Sequence, residues 1–417
     1  MRAWPCVPIR STYLGLFDGP HATPKPSDCG PVFLGIGNIT ADGHLDLTDV
    51  RHIAEEDFPA WTKRVVPQAG DIVFTYEATL NRYAIIPEWF RGCLGRRTAL
   101  IRPNPTVVDG RWLYYYFFGA EWRSVVSANT LSGATVDRIP LAKFPAFPIS
   151  LPPLETQARI ASILSAYDDL IENNTRRIAI LEEMARRIYE EWFVHFRFPG
   201  HEKVRMVESE LGLVPEGWRI HQLFELAEVN ARSVRRGSEP PQILYVDIAS
   251  VVPGLITGKQ PFRFDEAPGR ARRVVGHGDI IWSCVRPNRR SFALVVNPEP
   301  NLIVSTGFAV VTPRTVPFSY LYFALTTDDF VGYLVNHATG AAYPAVTARD
   351  FETGCVLLPA TELLARFHAA TEPMLLLCDT LRKRNVNLRT TRDALLPKLI
   401  SGELDVSEMP EPESLAA

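Results

Sequence analysis

The chain has 417 residues, 46% of them hydrophobic, enough for two to four cored units at ~100–200 residues each, and this excludes a disordered chain. No apolar run approaches the ~20 residues that span a bilayer, and the N-terminus lacks a signal-like apolar region, so the reading is a cytoplasmic protein with no membrane partner. The net charge of −3 does not announce nucleic acid, and six cysteines without a C-x-x-C pair read as reduced thiols, not as disulfides or a zinc site.

In chain order, residues 1–150 carry 15 Lys+Arg against 14 Asp+Glu and are rich in Gly, Pro, aromatic and β-branched residues. Runs such as Asp71-Ile72-Val73-Phe74-Thr75 predict short strands with turns and a few helices, an α+β globule. A Pro-rich lead-in from Phe144 to Pro153 places Pro153 near a helix start. Seam positions then fall at Ile160, Leu164, Tyr167, Ile171, Asn174, Ile178, Leu181, Ala185, Ile188 and Trp192, alternately four and three residues apart. That is the a/d pattern of a coiled-coil helix, and no Pro or Gly interrupts it from Leu154 to Phe198. Residues 201–357 return to the α+β composition. A weaker seam follows at Phe367, Thr371, Met374, Cys378, Leu381, Asn385, Leu388, Arg392, Leu395 and Leu399, with Pro373 expected to kink it or delay its start. Residues 406–417 read as a flexible acidic tail.

The two halves are copies of one another. Leu151-Pro152-Pro153-Leu154-Glu155 aligns with Leu358-Pro359-Ala360-Thr361-Glu362 at an offset of 207, and Gly133, Arg177, Leu181 and Ile188 align with Gly340, Arg384, Leu388 and Leu395 at the same offset. Upstream, Gly70-Asp71-Ile72-Val73 matches Gly278-Asp279-Ile280-Ile281 at offset 208, and Phe33 to Asn38 matches Tyr245 to Ser250 at offset 212. Such a period marks a repeated structural unit. Two surface helices on separate globules would be the simplest arrangement. Ten seam positions on one helix are too many for a globule at one end to cover, so pairing of the two helices is expected. Like units pack about a two-fold axis, which makes the helices antiparallel. A helix of ~40 residues is about 60 Å long. Two similar globules on such a spacer suit a long bipartite ligand, and double-stranded DNA with two half-sites is the obvious candidate.

Four segments carry a family resemblance. Leu151-Pro152-Pro153-Leu154-Glu155-Thr156-Gln157-Ala158-Arg159-Ile160 resembles the lead-in to the first spacer helix of the specificity subunits of type I restriction–modification systems. Ala185 to Phe196 resembles the close of that helix, Val214-Pro215-Glu216-Gly217-Trp218 the opening of the second target-recognition domain, and Leu395 to Leu404 the family's ending. Pro359 to Leu364 departs from the pattern, lacking its second Pro and its Gln, which predicts a later or less regular second helix. The resemblance implies an α+β protein of two tandem, pseudo-repeated α/β target-recognition domains, at 1–150 and 201–357. Two long helices, in 151–200 and 358–405, would join them as an antiparallel coiled coil. It implies that each domain reads one half-site of a bipartite DNA sequence. Two modification (methyltransferase) subunits would dock on the helices, and restriction (translocase/nuclease) subunits would join them. S-adenosylmethionine, ATP and Mg would be used by those partners, with no cofactor, no metal and no catalytic residue in this chain.

Other readings fit the residues less well. Phe33-Leu34-Gly35-Ile36-Gly37 resembles a methyltransferase cofactor loop, but its repeat partner has no glycine, and no Asp/Asn/Ser-Pro-Pro-aromatic tetrad occurs. A repeat strand explains it better. Asp71 and Asp279 each follow a glycine and precede a strand, as turn residues do. The nine histidines form no H-x-x-H or H-E-x-x-H pair. Arg263, Arg270, Arg272, Arg273, Arg286, Arg289 and Arg290 crowd into one stretch, either a solvated face or a phosphate-binding surface. Thr75 and Tyr76 at the end of the Gly-Asp strand, Asn81-Arg82 just beyond it, and Asn288-Arg289-Arg290 at the corresponding place complete the candidate DNA contacts. Asn and Arg suit adenine and guanine edges. A stand-alone DNA-modifying enzyme and a repeat scaffold remain the alternatives.

Overall fold

The computed structural model describes residues 4–132, 136–210, 212–235 and 237–407. The chain divides into two compact units: Met1–Asn173 with Asn385–Ala417, and Asn174–Arg384. Each takes one globular domain and a part of each long helix. Gly133 and residues 408–417 of the expected tail lie outside the described residues.

In the first unit, β1 (Tyr13–Asp18), β2 (Ile72–Thr75), β3 (Tyr83–Ile85) and β4 (Thr98–Pro103) form an antiparallel sheet in the order β1-β4-β2-β3. Every residue of β2 is buried, which is why Ile72-Val73-Phe74 reads as an unbroken apolar run and does not alternate. Gly70 turns the chain into β2 at φ 84°, a conformation open to glycine. A smaller sheet pairs Ser27–Leu34 parallel with Gly92–Leu94 and antiparallel with Arg51–His52. Helices α1 (Gly110–Tyr116) and α2 (Ala120–Asn129) supply Trp112, Tyr116 and Trp122 to the core. Asp109 caps α1 by accepting from the Trp112 amide at 2.9 Å. The long helix α3 (Leu154–Tyr189) follows.

The second unit repeats this order. Strands β5 (Ala227–Val229), β6 (Ile280–Ser283), β7 (Phe292–Leu294) and β8 (Phe308–Pro313) lie as β5-β8-β6-β7. Its second sheet again holds a parallel pair, Gln242–Val246 with Leu302–Ser305, flanked by Gln260–Arg263 and Ala271–Val274. Helices α4 (Phe318–Ala324) and α5 (Asp328–His337) precede the second long helix, α6 (Thr361–Ile400). The fold is α+β, and the repeat read from the sequence is a repeat of strand order. The glycine-bearing Phe33 segment is a strand end followed by a short turn at Ile36–Asn38. Tyr245 to Ser250 has the same shape, with its turn at Ile248–Ser250.

Within each unit the two long helices run antiparallel. In the first, Arg392 of α6 pairs with Asp168 of α3, and Asn385 Nδ2 donates to the Ile171 carbonyl at 3.3 Å, so partner numbers fall as α3 ascends. In the second, Ile178 packs with Cys378 and Leu381, while Tyr189 meets Phe367 edge-on. Ile160, Leu164, Ile171, Asn174, Ile178 and Leu381 are buried, whereas Tyr167, Leu388 and Leu395 are half-buried.

Leu181 and Ile188 are half-buried and still pack against the second unit's apolar clusters, while beyond Ala185 the most deeply buried helical positions are Tyr189 and Phe193. A straight helix of 3.6 residues per turn drifts off an exact 3.5 repeat, so the stripe moves by one residue. Four expectations are corrected. Helix α3 ends at Tyr189 and widens into one π turn, Glu190–Val194, before Phe196 at φ 57°. Pro373 neither delays nor breaks α6. Helix α6 also starts at Thr361, the repeat equivalent of Leu154, despite the altered lead-in, because the Ala360 carbonyl accepts from the Leu363 and Leu364 amides. Val406, placed in the tail by sequence, is buried in the first core, with its carbonyl accepting from Arg159 at 3.2 Å.

Candidate nucleic-acid interface

The central strand of each main sheet ends in a loop that returns to its neighbour. In the second unit the Cys284 amide leaves β6 by donating to the Gly307 carbonyl at 2.9 Å, and the Thr306 amide donates to the Arg270 carbonyl at 2.8 Å. The turn before β8 therefore brings Arg270 and the β6–β7 loop to one end of the domain. The Arg273 guanidinium donates to Ser233 Oγ at 3.2 Å, and its charge opposes the burial that pushes the Cys284 thiol up to about 11. The loop is clamped from the other side by a bridge between Val285 and Ala345.

Arg286 and Arg290 both hold the left-handed conformation, at φ 52° and 55°. Side chains rarely adopt it, and such strain is concentrated where a loop is held in a working shape. Arg286 lies 4.6 Å over the Tyr343 ring and donates to the Ala342 carbonyl. Arg290 pairs with Asp328. Between them Asn288 and Arg289 are exposed on the turn Pro287–Arg289, and Arg289 makes no ion pair among the described residues.

The first unit builds the same end. The Tyr76 amide donates to the Arg97 carbonyl at 3.1 Å, the counterpart of Cys284 and Gly307, and Glu77 bridges to Arg138 as Val285 does to Ala345. Ala78 and Asn81 take the left-handed conformation at φ 70° and 60°, matching Arg286 and Arg290. Arg82 donates to the Ile39 carbonyl at 3.1 Å, and Arg97 pairs with Glu77 at 3.0 Å. Arg96 and Arg138 are exposed beside them. Sequence reading missed Arg96, Arg97 and Arg138. The available signal was the Arg96-Arg97 pair just before β4, where the second half has Thr306-Gly307.

Two candidates are corrected. Thr75 and Tyr76 are buried, and their hydroxyls find no hydrogen-bond partner among the described residues, so neither presents a side chain to a ligand outside the domain. Thr75 ends a strand whose residues are all buried, and Tyr76 follows it directly. Arg263 is exposed on an edge strand and engaged by Asp265, and Arg272 lies 5.0 Å over the Phe264 ring. The Gly-Asp residues are structural: Asp71 pairs with Arg102 at 2.7 Å, and Asp279 accepts from Arg232, the Gly276 amide and Thr312. Among the described residues no three His, Cys, Asp or Glu side chains are grouped to hold a metal ion, and no helix is long and apolar enough to cross a membrane.

Residues 32–183 match the family model of the type I restriction modification DNA specificity domain. The chain is 25% identical over 370 residues to the type I restriction enzyme MjaIX specificity subunit of Methanocaldococcus jannaschii, covering 86% of this chain and 83% of that one. It is 24% identical to the putative type I restriction enzyme MjaX specificity subunit of the same organism, over 88% and 85% of the two chains. Its fold resembles the crystal structure of a type I restriction-modification system S subunit from M. genitalium, with a TM-score of 0.59 at 14% identity over 95% and 96% of the two chains.

Proposed function

We propose that this chain is a specificity subunit of a type I restriction–modification system and that it reads a bipartite DNA target, one half-site per domain. The observation that carries this is the repeated constellation itself. Each domain presents, at the same end, a loop held in left-handed geometry and flanked by exposed arginines: Arg96 and Arg138 in one, Arg270 and Arg289 in the other. Guanidinium groups recognise phosphate and guanine edges, and Asn81 and Asn288 suit adenine. The two loops differ in nearly every side chain while sharing their frame, as two readers of different half-sites would.

In this reading the chain is a non-catalytic subunit acting in the cytoplasm. Modification subunits dock on the long helices and bring S-adenosylmethionine, and restriction subunits bring ATP and Mg. The test is to express the chain with its methyltransferase partner and map methylated adenines across a host genome. An asymmetric motif in two parts, lost when the chain is omitted, is the expected result. Methylation independent of the chain, or at a single uninterrupted motif, would overturn it.

A further inference from the structure

In the first unit, three side chains from three elements meet where α3 and α6 pass the globular domain. Tyr115 of α1 donates to Asp168 of α3 at 2.5 Å, Arg392 of α6 pairs with the same carboxylate, and Asp393 takes a second Arg392 nitrogen at 2.8 Å. Arg392 is a seam residue with its side chain only 15% exposed. Burial raises the Tyr115 hydroxyl far above its ordinary range, with the Asp168 charge adding to it.

The repeat places a different trio at the same three positions of the second unit. At offsets of 208 and 207, Tyr115 becomes Phe323, Asp168 becomes Leu375, and Arg392 corresponds to Ala185. All three are buried in one apolar cluster with Tyr189 and Phe367. One junction is built from a charge pair and a phenol, the other from hydrocarbon.

We propose that this contrast selects the pairing partner of each long helix: the Tyr115–Asp168–Arg392 junction makes α6 of the same chain, and not α3 of a second copy, the helix that the first domain accepts. The two helices share their heptad phase, so a second copy offers each of them a look-alike. Pairing α3 with another α3 sets Ala185 against Asp168 and Tyr115, which leaves a carboxylate without its cation at both junctions. Pairing α6 with another α6 sets Arg392 against Leu375 and Phe323 at both. Burying a charge without a partner is strongly unfavourable, so both like-with-like pairings are disfavoured and the α3–α6 pairing alone keeps Tyr115, Asp168 and Arg392 partnered. None of this depends on what the two domains bind.

The test makes the two junctions alike in the full-length chain and follows its mass by light scattering after size exclusion, from about 1 to 100 µM. The wild type is expected at the mass of one chain throughout. The Tyr115→Phe/Asp168→Leu/Arg392→Ala variant, apolar at both junctions, is expected to rise toward two chains with concentration. The reverse variant, Phe323→Tyr/Leu375→Asp/Ala185→Arg, polar at both, should do the same, and it decides the matter if the first fails to fold. Arg392→Ala alone should melt at least about 5 °C below both wild type and the apolar triple. A wild type that self-associates, a folded equalised variant that stays monomeric, or an Arg392→Ala chain as stable as wild type would each overturn the proposal.

Discussion

Gln157 on the first turn of α3 accepts a hydrogen bond at 2.8 Å from the backbone amide of Asp109, the residue that caps α1. The Gln157 amide nitrogen donates in turn to the Pro152 and Val107 carbonyls, at 2.8 and 3.3 Å. A fully buried side chain thus ties the start of the long helix to the start of the domain's own helices. In the second half Leu364 stands at the equivalent position, buried among hydrocarbon, so the same joint is made there by apolar packing.

Gln157→Leu imports the second unit's solution into a site whose backbone groups need a polar partner. Leaving those groups unsatisfied should cost about 2–3 kcal/mol. The urea midpoint of the first unit should fall accordingly, followed by tryptophan fluorescence. A midpoint within error of wild type would mean that water replaces the side chain without penalty.

Arg289→Ala and Arg96→Ala should weaken DNA binding by the assembled complex evenly across sequences. Each should reduce the slope of log affinity against log salt by about 1, as expected for a phosphate contact. A change confined to one base position, with the salt slope intact, would assign that arginine to base reading instead.

Replacing the second domain, residues 205–355, with that of a relative should change one half-site and leave the other unaltered. Each domain has its own core, the one around Trp112 and Trp122, the other around Trp282 and Tyr320. Methylome sequencing reads the outcome directly, and a simultaneous change in both half-sites would contradict modular reading.

The six cysteines should separate by burial. Cys6, Cys29 and Cys355 are exposed, whereas burial pushes the thiols of Cys93, Cys284 and Cys378 up to about 12, 11 and 11. The thiolate is the reactive form, so iodoacetamide at neutral pH should label the exposed three first and the others only after denaturation. Mass spectrometry of a time course checks this, and early labelling of Cys378 would show that the helix seam opens readily.

Much of this architecture was legible because two kinds of signal are local. The heptad spacing from Ile160 to Ile178 follows directly from helix geometry, and the offset near 207 follows from duplication. Strand order was not legible, since it depends on pairings such as β1 with β4 that lie far apart in the chain. The candidate site was half legible. Asn81, Arg289 and Arg290 lie on the loops where the Gly-Asp repeat placed them. Thr75 and Tyr76 were misjudged because closeness to a loop in sequence does not reveal which way a strand end faces. Arg96 was missed because its proximity to the loop is created by the hydrogen bond between Tyr76 and Arg97.

The helices should also set the spacing between half-sites, and the pairings within each unit dictate how to test it. Four residues added to α3 alone would force a choice, because Asp168–Arg392 in the first unit and Ile178–Leu381 in the second could not both keep their register. Adding four residues to α3 between Asn173 and Asn174, and four to α6 between Arg384 and Asn385, leaves both pairings intact. A four-residue insertion nearly preserves the apolar stripe, with a local stutter. Each helix gains about one turn, or ~6 Å. At ~3.4 Å per base pair this corresponds to one or two base pairs. The double insertion should therefore methylate the same two half-sites with a spacer longer by one or two base pairs, while the single insertion in α3 should lose stability. Methylated-adenine mapping in cells carrying each variant reads both. Full activity of the double insertion at the original spacing would show that the helices do not measure the distance.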